Sequence, residues 1–180
     1  MEQSTKQDRA TIAILVENSA GVLARVAGLF GRRGYNIDSL TVSETNSPGI
    51  SRITVVTHGS PREIEQIMLQ TEKLVDTIAV SLENDMESIQ RELLLVKVKA
   101  AESQRRAIRD ICEVYKASIV DLSPESLAAE LTGKPAKIDG FLEMLGGYTI
   151  LELCRTGVTA MDRGSKVMCR MNEQKFAIMH

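Results

Sequence analysis

The start of the chain alternates a short apolar run with a stretch whose apolar residues recur at helical spacing. Residues 11–16, TIAILV, are a β-branched and aliphatic run that is too short for a helix, so they predict a buried strand. After Gly21, apolar residues recur every three or four positions: Val22, Val26, Leu29 and Phe30. This spacing predicts a helix, which Gly34 would end with a left-handed cap.

A hairpin and a second helix are predicted next. Residues 36–44 and 51–58 have strand character and flank the turn-rich residues 45–49, TNSPG, which predicts an antiparallel hairpin. The sequence SPRE at residues 60–63 has the form of a capping box, with serine at the N-cap and proline at the first helical position. Alternating apolar residues in 76–82 predict a closing strand, so the first half has the order β-α-β-β-α-β.

The second half repeats this order in structure but not in sequence. A polar linker is predicted at residues 83–90, strands at 92–100, 118–122, 127–131 and 149–155, and helical stripes at 108–115 and 138–145. The predicted fold class is α+β, with two tandem ferredoxin-like βαββαβ domains, each a four-stranded sheet with two helices on one face. We place these domains at residues 10–84 and 91–165, followed by a tail, residues 166–180, whose structure the pattern does not predict.

Composition and charge narrow the classes of partner. Hydrophobic residues make up 43% and charged residues 26% of the 180 residues, which is typical of a globular protein. The net charge of -2, with basic residues spread among acidic ones, argues against nucleic acid and anionic lipid as partners. An RNA-binding module of similar topology would need stacking aromatics, and aromatics make up only 3%.

The termini and cysteines indicate a cytoplasmic protein. Residues 1–9 lack the apolar core of a signal peptide, and no stretch approaches the roughly 20 apolar residues that span a bilayer, so no membrane association is expected. Three cysteines without CxxC spacing suggest neither a disulfide framework nor a zinc site.

The residues of an active site are missing from the sequence. The chain has two histidines, His58 and His180, and neither has a serine or cysteine partner nearby in sequence. Gly28, Gly31 and Gly34 lie within a helical segment, which is not the strand-to-helix spacing of a dinucleotide-binding loop. The carboxylates at strand and loop positions are interpreted as solvated edge residues: Asp38, Glu44, Asp76 and Asp121. We therefore expect no catalytic residues and no metal ligands.

The turn NSAGVL at residues 18–23 could hold a ligand. Free N–H groups and the positive end of a helix dipole form a site for an anion such as an amino acid carboxylate. Gly21 would let a ligand approach the backbone, and the Asn18 carbonyl could accept from an ammonium group. At the entry to the next strand, an Asn36 amide could bind a carboxylate and Ile37 could line an apolar pocket. From these residues alone, two plainer explanations stay open: a helix cap with a turn glycine at residues 18–23, and an ordinary turn residue at Asn36, which is the more common role of an asparagine at a strand entry.

Two longer stretches identify a family. Residues 17–26, ENSAGVLARV, and residues 28–40, GLFGRRGYNIDSL, closely resemble the opening of the small regulatory subunit of acetohydroxyacid synthase, also called acetolactate synthase. The resemblance continues through residues 51–54, 73–76, 91–97, 139–141 and 155–157. It covers about residues 10–168.

The resemblance implies an N-terminal ACT domain, which is an amino-acid-sensing fold, and a C-terminal domain of similar topology. In this family the ACT domains pair, and a branched-chain amino acid, usually valine, binds between them. Carried over, Asn18, Gly21, Val22 and Leu23 form one wall, and Asn36 and Ile37 form the other on the second subunit. Ala20 belongs to the same turn, but it stands where serine or proline is common in the family.

The resemblance also implies a non-catalytic role. In the family, thiamine diphosphate-dependent condensation of 2-oxo acids belongs to a separate large subunit, which also carries magnesium and usually FAD. This chain would bind none of those cofactors, and its allosteric ligand would be valine, leucine or isoleucine. It would activate the large subunit and confer feedback inhibition. The alternative is a free-standing ACT-type amino acid sensor that regulates another enzyme or a transporter.

Overall fold

The structure is a computed structural model that describes residues 8–168. This part of the chain forms two compact units. The first comprises residues 8–89 and 160–168, and the second comprises residues 90–159. Most of the predicted tail, residues 169–180, lies outside the described residues.

The first unit has the predicted βαββαβ order. Its elements are β1 (Asp8–Glu17), α1 (Val22–Arg32), β2 (Ser39–Glu44), β3 (Ile50–Gly59), α2 (Pro61–Thr71) and β4 (Thr77–Glu83). The strands form an antiparallel sheet in the order β2-β3-β1-β4, so β2 is an edge strand. Alternate residues of β1 and β3 pack with residues of both helices in one core: Ile12, Ile14, Val16, Ile53, Val55, Val26, Phe30, Ile64 and Ile67. Both helices therefore cover the same face of the sheet.

Local signals explain where the helices of the first unit begin. Ser60 caps α2, because its side chain accepts from the Glu63 N–H while the Glu63 carboxylate accepts from the Ser60 N–H. The predicted capping box is confirmed. Helix α1 begins after Gly21 and is followed by Gly34, and both glycines have positive φ, 80° and 75°. Glycine adopts this conformation without the steric cost that a Cβ atom imposes.

The second unit repeats the same order. Its elements are β5 (Ser88–Lys99), α3 (Glu102–Tyr115), β6 (Ser118–Leu122), β7 (Ser126–Gly133), α4 (Pro135–Met144), a short 3₁₀ helix (Leu145–Gly147) and β8 (Ile150–Arg155). The strand order is β6-β7-β5-β8, and the second core packs residues of β5 and β7 against both helices. The prediction of two tandem ferredoxin-like domains is confirmed.

Several strand boundaries differ from the sequence-based expectation, and one further strand was not predicted. Residues 83–90 were expected to be a linker, but β5 begins at Ser88 and its buried positions include the polar residues Ser88, Gln90 and Glu92. An alternation of apolar residues does not mark the start of β5, because the buried positions there are polar. Strand β2 begins at Ser39 rather than at residue 36. A further short strand, β9 (Thr159–Asp162), pairs with β5 and was not predicted.

Within residues 8–168, no helix is long and apolar enough to cross a membrane.

Candidate functional site

The turn between β1 and α1 is held by backbone bonds to distant segments. The Glu17 N–H donates to the Asp76 carbonyl at 2.8 Å, and the Asn18 N–H donates to the Gly49 carbonyl at 2.8 Å. These bonds attach the turn to the start of β4 on one side and to the β2–β3 hairpin on the other. These bonds therefore fix the position of the turn relative to the sheet.

The first turn of α1 offers backbone N–H groups. No side chain caps this helix. The Val22 N–H donates to the Ser19 carbonyl at 3.2 Å, and the first intrahelical acceptor, Gly21 O, receives from the Arg25 N–H at 3.0 Å. By helix geometry the N–H groups of Leu23 and Ala24 have no intrahelical acceptor. These two N–H groups are available to donate to a ligand, whereas the Val22 N–H already bonds to the Ser19 carbonyl. The Val22 side chain is buried in the core.

An ion pair between the exposed Arg25 and the largely buried Asp76 contacts the turn and was missed by sequence reasoning. Asp76 accepts from Arg25 Nε at 2.7 Å through one oxygen and from Ser19 Oγ at 2.8 Å through the other. Arg25 also donates to the Ala20 carbonyl at 3.3 Å and to Ser19 Oγ at 3.0 Å. The expectation that Asp76 is a solvated edge residue is wrong, because its side chain is only 11% exposed. The Arg25 guanidinium, and then the Ser19 hydroxyl, hold the pKa of the Asp76 carboxyl below its usual value.

The Asn18 side chain is fixed by a carboxylate. Asn18 Nδ2 donates to Glu44 Oε1 at 2.9 Å, at the end of β2. An amide that donates through nitrogen keeps its carbonyl oxygen as an acceptor. Asn18, Ala20, Gly21 and Leu23 all lie at the surface, so the turn is accessible to a ligand. The proposed role of the Asn18 carbonyl is compatible with this geometry.

The second predicted group lies just before β2. Asn36 is exposed, and Asn36 Nδ2 donates to Asp38 Oδ1 at 2.8 Å. The backbone carbonyl of Asn36 accepts from Thr57 Oγ1 at 2.6 Å, and Asp38 Oδ2 lies 2.5 Å from His58 Nδ1. Ile37 is half-buried and packs against the first core. The histidine that the sequence left without a partner thus pairs with Asp38.

Within one chain, the two predicted groups lie at opposite ends of β2. Asn18 contacts Glu44, the last residue of β2, whereas Asn36 precedes Ser39, the first residue. The six residues of β2 span about 20 Å, at about 3.3 Å per residue. A single copy of the chain therefore does not bring Asn18 and Asn36 around one small ligand.

The described residues contain no cluster suited to a metal ion: no group of three or more His, Cys, Asp or Glu side chains within residues 8–168 could hold one. Cys112 is buried, and burial raises the pKa of its thiol, which disfavours the reactive thiolate. His180 lies outside the described residues.

Two family models and several relatives match this chain. A model described as the small subunit of acetolactate synthase matches residues 91–164, and one described as the AHAS small subunit-like ACT domain matches residues 12–79. The probable acetolactate synthase small subunit of Methanothermobacter thermautotrophicus is 48% identical over 162 residues, covering 89% of this chain and 96% of that protein. The isozyme 3 small subunit of Escherichia coli K12 is 39% identical over 161 residues, covering 89% of this chain and 99% of that protein.

A solved structure agrees with the fold. The crystal structure of the acetolactate synthase small subunit from Thermotoga maritima aligns with a TM-score of 0.81 and 35% identity, covering 88% of this chain and 99% of that chain. The similarity extends through both units rather than through the sensor-like half alone. This chain belongs to the family of acetolactate synthase small subunits, with an ACT domain in its N-terminal half.

Proposed function

We propose that this chain is the non-catalytic regulatory subunit of a cytoplasmic acetolactate synthase. It activates a separate catalytic subunit and confers feedback inhibition by a branched-chain amino acid, valine, bound between two paired ACT domains. The observation that carries this proposal is the division of the candidate site between the two ends of one edge strand, β2.

Pairing of two β2 strands would complete the site. An edge strand presents unpaired backbone groups that can pair with another strand. In an antiparallel pair related by a two-fold axis, the Glu44 end of one β2 lies beside the Ser39 end of the other. Asn18 of one copy would then approach Asn36 of its mate. A homodimer of this kind supports two equivalent sites, one at each end of the strand pair.

The chemistry of the two walls fits a small amino acid. The Leu23 and Ala24 N–H groups, at the positive end of the α1 dipole, suit the α-carboxylate, with each such contact worth about 0.3–1 kcal/mol and up to about 2 when partly buried. The side-chain carbonyl oxygens of Asn18 and Asn36 suit the ammonium group. This changes the role expected for Asn36 from the sequence, because its Nδ2 donates to Asp38 rather than standing free for the ligand carboxylate. Leu23, 39% exposed, and the half-buried Ile37 offer apolar surface for a branched side chain. Leucine and isoleucine differ from valine by one methylene, which is worth only about 1–3 kcal/mol in such a pocket.

Inhibition in this proposal is allosteric. Effector binding between the two paired ACT domains favours one dimer geometry. The catalytic subunit responds to that geometry, without contact between effector and substrate. Coupling of this kind is commonly about 1–3 kcal/mol, so a modest preference of the effector for one geometry is sufficient. The condensation chemistry and its thiamine diphosphate, magnesium and FAD are assigned to the catalytic subunit, and this chain needs no cofactor.

The test measures acetolactate formation from pyruvate by the cognate catalytic subunit, with and without this chain, during titration with valine, leucine and isoleucine. We expect this chain to stimulate turnover and valine to reverse the stimulation at the lowest concentration. Stimulation without any amino acid response would refute the sensor role. Absence of stimulation would favour the second candidate, a free-standing ACT-type sensor, which the topology of the first unit alone also supports.

A further inference from the structure

We propose that Glu44 and Asp38 are positioning residues that turn the carbonyl oxygens of Asn18 and Asn36 toward the effector, so that the site selects an α-ammonium group. This inference rests on the proposed binding of an amino acid between Asn18 and Asn36. It explains how the site would distinguish an amino acid, which has an α-ammonium group, from the 2-oxo acid of the same carbon skeleton, which has an oxygen there.

The two asparagines share one feature. Each donates Nδ2 to a carboxylate oxygen, Asn18 to Glu44 at 2.9 Å and Asn36 to Asp38 at 2.8 Å. An ionised carboxylate has acceptors only, so it cannot pair with an amide oxygen. The hydrogen bond therefore decides which end of each amide faces the carboxylate. The oxygen Oδ1 of each asparagine is left pointing away from it.

The residues that carry these carboxylates are hydrogen-bonded to β3 through their backbone. Glu44 is paired with Ser51 in the β2–β3 ladder. The Asp38 N–H donates to the Val56 carbonyl at 2.9 Å, and the second oxygen of Asp38 contacts His58 Nδ1 at 2.5 Å. Because the backbones of both acidic residues bond to β3, and the Asp38 carboxylate also contacts His58 of β3, each asparagine is oriented by the sheet. The orientation is thus set before a ligand arrives, which lowers the ordering cost of binding.

Two side-chain carbonyl oxygens at one site favour a ligand group that donates hydrogen bonds. An α-ammonium group carries N–H donors and a positive charge, which also suits the nearby Glu44 and Asp38 carboxylates. The oxygen of a 2-oxo acid is an acceptor and would leave both amide oxygens unpaired. Sites built to hydrogen-bond one group reject analogues that lack it strongly, because the site's polar groups are then buried without partners.

The test is calorimetric titration of the full chain, without the catalytic subunit, with L-valine and with 3-methyl-2-oxobutanoate, using displacement for the weaker ligand. We expect the unsubstituted chain to prefer valine by at least about a hundredfold. Glu44→Gln and Asp38→Asn free the amides to rotate, and each should reduce that preference about tenfold. The matched controls, Glu65→Gln and Asp110→Asn, remove a surface carboxylate from a helix and should leave the preference unchanged.

A paired exchange separates orientation from general disruption. In the double variant Asn18→Asp with Glu44→Gln, the glutamine donates to the aspartate, and the second aspartate oxygen faces the ligand at unchanged net charge. We expect this variant to recover the valine preference to within about threefold of the unsubstituted chain. Equal weakening of both ligands in the single variants, or no recovery in the exchange, would overturn the inference. If the unsubstituted chain binds no branched-chain amino acid, the proposed effector site fails first.

Discussion

At the scale of single residues, Gly21 combines a left-handed backbone conformation with a surface position in the turn that could hold the ligand. Its φ of 80° disfavours a side chain, and a Cβ atom there would lie 3.2 Å from Arg25 Nη1. We expect Gly21→Asp to weaken valine inhibition and to raise the half-inhibitory concentration at least about tenfold, or about 1.4 kcal/mol, because its carboxylate would occupy the proposed anion position at the start of α1. Stimulation of the catalytic subunit should be largely kept.

The matched control for Gly21→Asp is Gly31→Asp, on the same helix. A Cβ atom at Gly31 meets nothing within 4 Å, and Gly31 is exposed and distant in sequence from the turn. This variant should retain both stimulation and valine inhibition in the turnover assay. Loss of stimulation in Gly21→Asp would contradict the separation of sensing from activation.

Asp76 supports the same turn and gives a pH dependence with a definite sign. The pKa of its carboxyl is lowered in the folded chain by Arg25 and Ser19, so its contribution to stability is present above the unfolded value of about 3.9. The contribution is lost as the pH falls through the folded pKa. We expect Asp76→Asn to lower the melting temperature at pH 7, and the difference from the unsubstituted chain to vanish as the pH falls below about 3.9. The melting temperatures are measured by calorimetry for the unsubstituted chain, for Asp76→Asn and for the control Asp110→Asn. If the difference caused by Asp76→Asn grew as the pH fell, the assignment would be contradicted.

At the scale of secondary-structure elements, the start of α2 is determined locally. Ser60 and Glu63 satisfy each other's backbone N–H groups, and Pro61 occupies the first helical position. Replacing an N-cap serine with alanine costs about 0.5–2 kcal/mol, so we expect Ser60→Ala to lower the free energy of unfolding by about 1 kcal/mol. Ser103→Ala, in the first turn of α3 where residue 101 is the N-cap, should change it by less than about 0.5 kcal/mol. Urea unfolding followed by circular dichroism distinguishes the two, and equal effects would show that the capping box is not stabilising.

At the scale of the whole molecule, the proposed homodimer makes a prediction about the edge strand β2. Val42 lies near the middle of the edge strand β2 and is 44% exposed. We propose that the two-fold axis of the strand pair passes beside Val42, so that the two copies of this residue face each other, where like charges directly opposite each other are destabilising. We therefore expect Val42→Lys to convert the proposed dimer to the 19.8 kDa monomer in sedimentation equilibrium and to abolish valine binding. Val75→Lys, at a loop residue that is 89% exposed, should leave the dimer intact; an intact dimer in Val42→Lys would exclude pairing through β2.

The sequence by itself determined the features that depend on neighbouring residues. Apolar periodicity placed the strands and helices of both units, Ser60 and Glu63 marked a helix start, and Gly21 marked a turn. Each of these is set by contacts within a few positions, so a local pattern is sufficient. The resemblance carried by residues 17–40 then identified the family that both units match.

Only the tertiary structure decided which polar groups meet. Asp76 finds Ser19 and Arg25 across separations of 57 and 51 residues, and Asn18 finds Glu44 across 26. The buried polar positions that begin β5 also depend on the packing of the sheet, because no apolar pattern marks them. Sheet topology sets these contacts by bringing strand ends together, whereas sequence spacing carries no information about which ends become neighbours.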